Sequence, residues 1–131
     1  MGSLADYAEN KVLELIVGKT AFATPTVYLA LSTADPTDDA SGLAEPSGGS
    51  YVRLLTAGSD WAAAAAGSIS NSAVLAFAEA TGDWGTITHV ALYDAASGGN
   101  MLAHGALDSS LAVTSGKTLR FQASQLTLTL S

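Results

Sequence analysis

Residues 81–107 read TGDWGTITHVALYDAASGGNMLAHGAL. Two runs of strand character, Thr86 to Tyr93 and Met101 to Leu107, flank a Gly-rich turn, so the stretch predicts an antiparallel hairpin. With Ala95 to Gly99 in the turn, Tyr93 faces Met101, Val90 faces His104 and His89 faces Gly105. Side chains alternate along a strand, so this register sends His89 and His104 to opposite faces of the ribbon. A slip of one residue would set the two histidines directly opposite, close enough to share a metal, with Asp94 or Asp108 as the nearest third ligand in sequence. The ordinary expectation is hydrogen-bonded or interface histidines. Trp84, beside a tight turn, is expected to plug an open end of the core, or else to stack on a sugar or a partner; Trp61 invites the same two readings.

Outward from this hairpin the period of two recurs. Val27, Leu29 and Leu31 alternate with Tyr28, Ala30 and Ser32; Ala73, Leu75 and Phe77 with Val74, Ala76 and Ala78; Leu126, Leu128 and Leu130 with Thr127 and Thr129. Tyr51 to Thr56 and Thr118 to Ala123 are further candidates, the second following the turn cluster TSGK. About seven or eight short strands at fairly regular spacing predict a mainly β fold, an antiparallel β-sandwich or barrel of jelly-roll type over 26–131. One helix precedes it, expected over 3–17. Ser3 is the candidate N-cap, Leu4, Ala8, Val12, Leu15 and Ile16 recur at helical spacing, and Gly18 is the stop. The run DWAAAAAGSISNS, residues 60–72, could form a helical turn over its five alanines, but the favoured reading is a strand or irregular segment whose alanines lie against a close neighbour.

The chain has 131 residues, the size of one domain, and needs no covalent staples. Charged residues make up 13%, about half the usual share, and hydrophobic residues 48%. Such a weakly solvated surface suits coverage by a partner. A net charge of −7 repels a phosphate backbone, which argues against nucleic acid. The absence of cysteine removes disulfides, thiolate metal sites and cysteine nucleophiles. No apolar run approaches the ~20 residues of a membrane span, and the opening MGSLAD lacks the basic region of a signal peptide, so no membrane association is expected and the chain is expected to be made in the cytoplasm.

The segment DPTDDASGLAEPSGGS, residues 35–50, is a long acidic loop, too long for an ordinary hairpin and expected to be solvated. Its Asp35, Asp38, Asp39 and Glu45 do not follow the spacing of a calcium loop. There is no G-x-S-x-G, and SGKT at 115–118 lacks the opening glycine of a phosphate loop, which would fall at Leu111. Outside the acidic loop, paired carboxylates for glycoside hydrolysis would have to come from Glu79, Asp83, Asp94 and Asp108, three of which read as turn residues. The expectation is a protein without catalytic activity and without a cofactor.

The order of these segments resembles the small tail-fibre-like and head-decoration-like structural proteins of tailed bacteriophages. The pieces that carry the resemblance are LADYAENKVLELIVGKTAF, PTVYLALSTADPTDD, EPSGGSYVR, SNSAVLAFAEATGDWGTITHVALYDAASGGNMLAHGAL and SGKTLRFQASQLTLTL, the most specific being DWGTITHVALYDA and GGNMLAHGAL. It implies a virion structural protein. The expected function is a capsid decoration or cement protein, a homotrimer bound to the major capsid protein on the head surface. The alternative is a tail-fibre or adsorption module that recognises a host glycan. Candidate partner-binding residues are Leu4, Tyr7, Val12, Trp61, Trp84, His89 and His104.

Overall fold

The computed structural model describes residues 2–130; Met1 and Ser131 lie outside the described residues. In chain order the elements are β1 (Gly2–Leu4), α1 (Asp6–Ile16), β2 (Val27–Ser32), β3 (Leu54–Thr56), a 3-10 turn (Gly58–Asp60), β4 (Ser68–Ser70), β5 (Leu75–Ala76), β6 (Gly85–Tyr93), β7 (Met101–Val113), β8 (Arg120–Phe121) and β9 (Thr127–Thr129). Seven strands, in the order β3-β2-β6-β7-β1-β9-β4, form one sheet curled into a half-barrel, and β5 pairs with β8 in a second small sheet. All pairings are antiparallel except β1 with β9. The mainly β architecture with an N-terminal helix is the one the period of two predicts.

The core lies inside the curl. Leu29, Leu31, Ile87, Val90 and Leu92 project from β2 and β6 onto Leu75, Phe77, Leu119 and Phe121 of the small sheet and its flanks. The opposite face of β2, β6 and β7 is also buried, because Ala30, Ala91, Tyr93 and Met101 lie under Ala5, Ala40 and Leu43. Residues 33–46 therefore form a strap across the sheet. The Thr33 N–H donates to the Ala44 carbonyl at 3.0 Å, and the Ser32 hydroxyl accepts the Ala44 N–H at 3.1 Å. The expectation of a solvated loop is corrected accordingly: its carboxylates at Asp35, Asp38 and Asp39 are exposed, but its apolar residues cover a second sheet face.

The β6–β7 hairpin pairs Tyr93 with Met101, as its turn predicts, but then departs from the simple register. Leu102 is an extra residue opposite the Leu92–Tyr93 step, so Ala91 faces His104, Val90 faces Gly105 and His89 faces Ala106. The shift of one residue places both histidines on the same face, contrary to the expected opposite placement. Further along, Leu107–Ser110 bulge away where Thr88 stands alone on β6.

At the N-terminus the helix starts at Asp6 and not at Ser3. Gly2, Ser3 and Leu4 pair instead with Gly105, His104 and Ala103 of β7, and Gly2 pairs with Leu128 of β9. Extended backbone here fills the gap between β7 and β9 and satisfies the polar edges of both. A Cβ at position 2 would run into the His104 carbonyl, which glycine avoids. Gly18, with φ +76°, stops the helix as expected.

Other segments also depart from expectation. Ala62–Ala66 are exposed and form one arm of a surface hairpin, closed at Ala66 (φ +53°) and Gly67 (φ +76°) by reciprocal Ala65–Ser68 hydrogen bonds at 2.9 and 3.0 Å, not a strand against a close neighbour. Tyr51–Arg53 leave the ladder, because Tyr51 and Arg53 turn inward to polar partners.

Candidate functional site

Three groupings bring together the residues that carry unusual chemistry. The first is the Arg53 clasp. Arg53 is 8% exposed, and its Nε and Nη2 donate to the two carboxylate oxygens of Glu45, both at 2.9 Å. Its Nη1 donates to the carbonyls of Ala95 and Gly98 at 2.9 and 2.8 Å, and the guanidinium lies 3.9 Å from the centroid of the Tyr93 ring. The Tyr51 hydroxyl donates to Glu45 at 2.8 Å and accepts the Leu31 N–H at 3.0 Å. Burial works to raise the Glu45 carboxyl, but the hydrogen bonds from Arg53 and Tyr51 outweigh it and hold the group below its ordinary range. Burial, with the Glu45 charge, pushes the Tyr51 hydroxyl up. Together these contacts pin the strap to the tip of the β6–β7 hairpin.

The second grouping is aromatic. Tyr51, Phe77 and Trp84 meet with ring centroids 5.4–6.3 Å apart. Trp84 is 3% exposed and its indole N–H donates to the Gly49 carbonyl at 2.8 Å. It occupies the core as a plug and presents no face to solvent. Trp61 is only partly buried; its indole N–H donates to Thr56 Oγ1 at 3.3 Å, and its ring borders a groove that includes Pro25, Val27 and Thr56.

The third grouping surrounds the first turn of α1. His104 Nε2 donates to Asp38 Oδ1 at 2.7 Å, and its Nδ1 lies 3.8 Å from Asp35 Oδ1. His89 turns to Thr88 Oγ1 at 2.8 Å, so the two histidines share a face without sharing a partner. Asp94 is held by Asn100, whose backbone N–H donates to it at 2.7 Å. The exposed carboxylates of Asp6, Glu9 and Asp38 lie within 4.8 Å of one another, and their place at a helix N-terminus accounts for the concentration of negative charge. Asp39 is held down at about 2 by hydrogen bonds from Ser41 and Thr37.

Of the remaining expected contact residues, Leu4 and Tyr7 are partly buried against the core, and Val12 is partly buried on α1. The helix docks only through its first half. Beyond Val12 its apolar side chains are exposed, with Leu13 at 62%, Ile16 at 72% and Val17 at 75%, and the one charged residue of this stretch, Glu14, is half-buried. Leu13 and Val17 were missed because they fall outside the narrow stripe centred on Ala8. Arg53 and Glu45 were missed as well; the available signal was an arginine two residues after Tyr51, at inward parity, in a chain with five basic residues.

No helix among the described residues is long and apolar enough to cross a membrane. No curated protein matches the chain. Residues 3–129 match the family described as podophage GP4 fiber I protein gp80. A match of this extent takes in the helix, the strap, the clasp and every strand after Gly2, and the chain belongs to this family of phage structural fibre proteins.

Proposed function

We propose that this virion component works by burying apolar surface against neighbouring protein subunits, and that its place is in a fibre assembly. The observation that carries the proposal is the contrast between aromatic and aliphatic residues. Trp84 is interior and Trp61 is partly buried against the core, whereas Leu13, Ile16, Val17, Val52, Leu55, Val74 and Leu130 are all more than half exposed. Glycan adsorption sites rely on open aromatic faces, and protein contacts rely on aliphatic area at ~25 cal/mol per Å². Few charged groups need be desolvated when such a surface is covered. No reaction is assigned to the chain.

A second position, as a decoration protein on the major capsid protein, is favoured by the same weakly charged surface. Copy number separates the two. Densitometry of purified particles, with antibody labelling by electron microscopy, is expected to find a small number of copies at the tail. Hundreds of copies over the head would replace the fibre position with the decoration one. Failure of the purified chain to bind any emptied particle or tail assembly would remove both. In either position self-association, with a homotrimer as the expected form, supplies the repeated contacts.

A further inference from the structure

The second half of α1 ends in an apolar knob that the fold leaves uncovered. Leu13, Ile16 and Val17 project from it, and Lys19 follows, its backbone N–H bonded to the Glu14 carbonyl at 2.8 Å, which keeps this lysine against the helix end. Its side chain makes no hydrogen bond or ion pair among the described residues. At the opposite end of the same helix lies a groove of about 300 Å³ with chemistry of the other kind. Tyr7, Ala40 and Met101 supply apolar lining, and Asp6, Asp38 and Asp39 supply carboxylates. Glu9 stands beside them, within 4.8 Å of Asp6 and Asp38; no basic side chain is among the lining residues, and the nearest lysine, Lys11, holds its Nζ over the Tyr7 ring, 5.7 Å from the centroid.

We infer that the knob of one copy docks in the groove of a second copy, Ile16 and Val17 meeting the apolar lining and Lys19 meeting the acidic rim. The contact deepens the self-association proposed above and rests on it. Three observations select a second copy as the occupant. A chain cannot fill its own groove, because helical rise separates the two ends of α1 by ~16 Å and the helix is rigid. The charges are complementary, with Lys19 on the knob, where the one neighbouring carboxylate, Glu14, accepts from the Thr20 hydroxyl at 3.2 Å, and with Asp6, Glu9, Asp38 and Asp39 at the rim, in a molecule whose net charge of −7 otherwise opposes like-with-like contact. Among the described residues the knob's apolar side chains stay exposed and the carboxylates of Asp6 and Glu9 make no hydrogen bond or ion pair, whereas Asp38 is bonded to His104 and Asp39 to Thr37 and Ser41. Because knob and groove are different patches, the contact is head-to-tail, which closes into a ring where the rotation permits.

Sedimentation velocity on the full chain, from about 1 to about 200 μM so as to bracket weak association, tests the contact. The unaltered chain is expected to associate. Lys19→Glu and Glu9→Lys, both at exposed positions, are each expected to weaken association at least about tenfold while leaving the melting temperature and circular dichroism unchanged, and the double variant is expected to restore it. Ile16→Asp should abolish it, and Leu55→Asp, at an exposed apolar position on β3, should not. A chain that stays monomeric across the range, or that associates with all these variants behaving alike, overturns the contact. Attachment to particles by a monomeric chain would leave the virion role standing and remove this interface alone.

Discussion

Glu45 and Arg53 face each other through two parallel hydrogen bonds, Nε to Oε1 and Nη2 to Oε2, each 2.9 Å long. The guanidinium at the same time lies over Tyr93 and binds the carbonyls of Ala95 and Gly98. One side chain thus joins the strap, the sheet face and the hairpin tip. Planarity and a fork of donors are required, which a lysine lacks.

Arg53→Ala is expected to cost about 2–4 kcal/mol, because it leaves Glu45 and the hairpin carbonyls unpaired; the partial exposure of Glu45 keeps the figure below that of a fully buried pair. Arg53→Lys should recover less than half. Urea unfolding at neutral pH reads both, and equal stability of Arg53→Lys and the unaltered chain would show the fork to be dispensable.

Acid should loosen the strap first. Glu45 titrates below its ordinary value in the folded chain, so it contributes stability above the usual carboxylate range, and that contribution is lost as pH falls through the depressed value. The urea midpoint is therefore expected to be flat from about pH 8 to about pH 5 and to fall below about pH 4.5. Glu45→Gln should lower the midpoint at pH 7 and make the acid limb shallower, the depressed Asp39 carboxyl retaining a part of it. An acid limb of unaltered steepness in this variant would place the titration elsewhere.

Trp84→Ala should cost about 3–5 kcal/mol through the lost contacts with Tyr51 and Phe77 and the cavity left behind. Trp84→Phe should cost only about 1–2 kcal/mol, since the Gly49 carbonyl keeps a second donor, the Thr81 N–H at 3.0 Å. Binding of Trp84→Phe to particles should equal that of the unaltered chain. Loss of binding with unchanged stability would return Trp84 to the contact surface.

Residues 27–32 and 85–93 were legible in sequence as short runs rich in aliphatic, aromatic and β-branched residues bounded by turn signals, and the Gly-rich turn between Asp94 and Asn100 tied the second to its partner; that both faces of these strands are buried became visible only with the strap in place. Gly18 marked the helix end for an equally local reason. Leu102 carries no such mark. Its bulge exists because Leu102 and Ala103 both find room in the core, and that one-residue shift moved His104 to the face of His89 and to Asp38.

Local periodicity and turn chemistry, which act between near neighbours, by themselves determined that the chain is mainly β, begins with one helix and carries a central hairpin. The helix start, the strap over the second sheet face and the Arg53 clasp were decided only in the folded chain. Each depends on groups far apart in sequence: Gly2 needs the open ladder between β7 and β9, the strap needs Ala30, Ala91 and Met101 to cover, and Arg53 needs carbonyls more than 40 residues away. Burial and backbone hydrogen bonding are satisfied over the whole molecule, and no window of sequence contains all the partners.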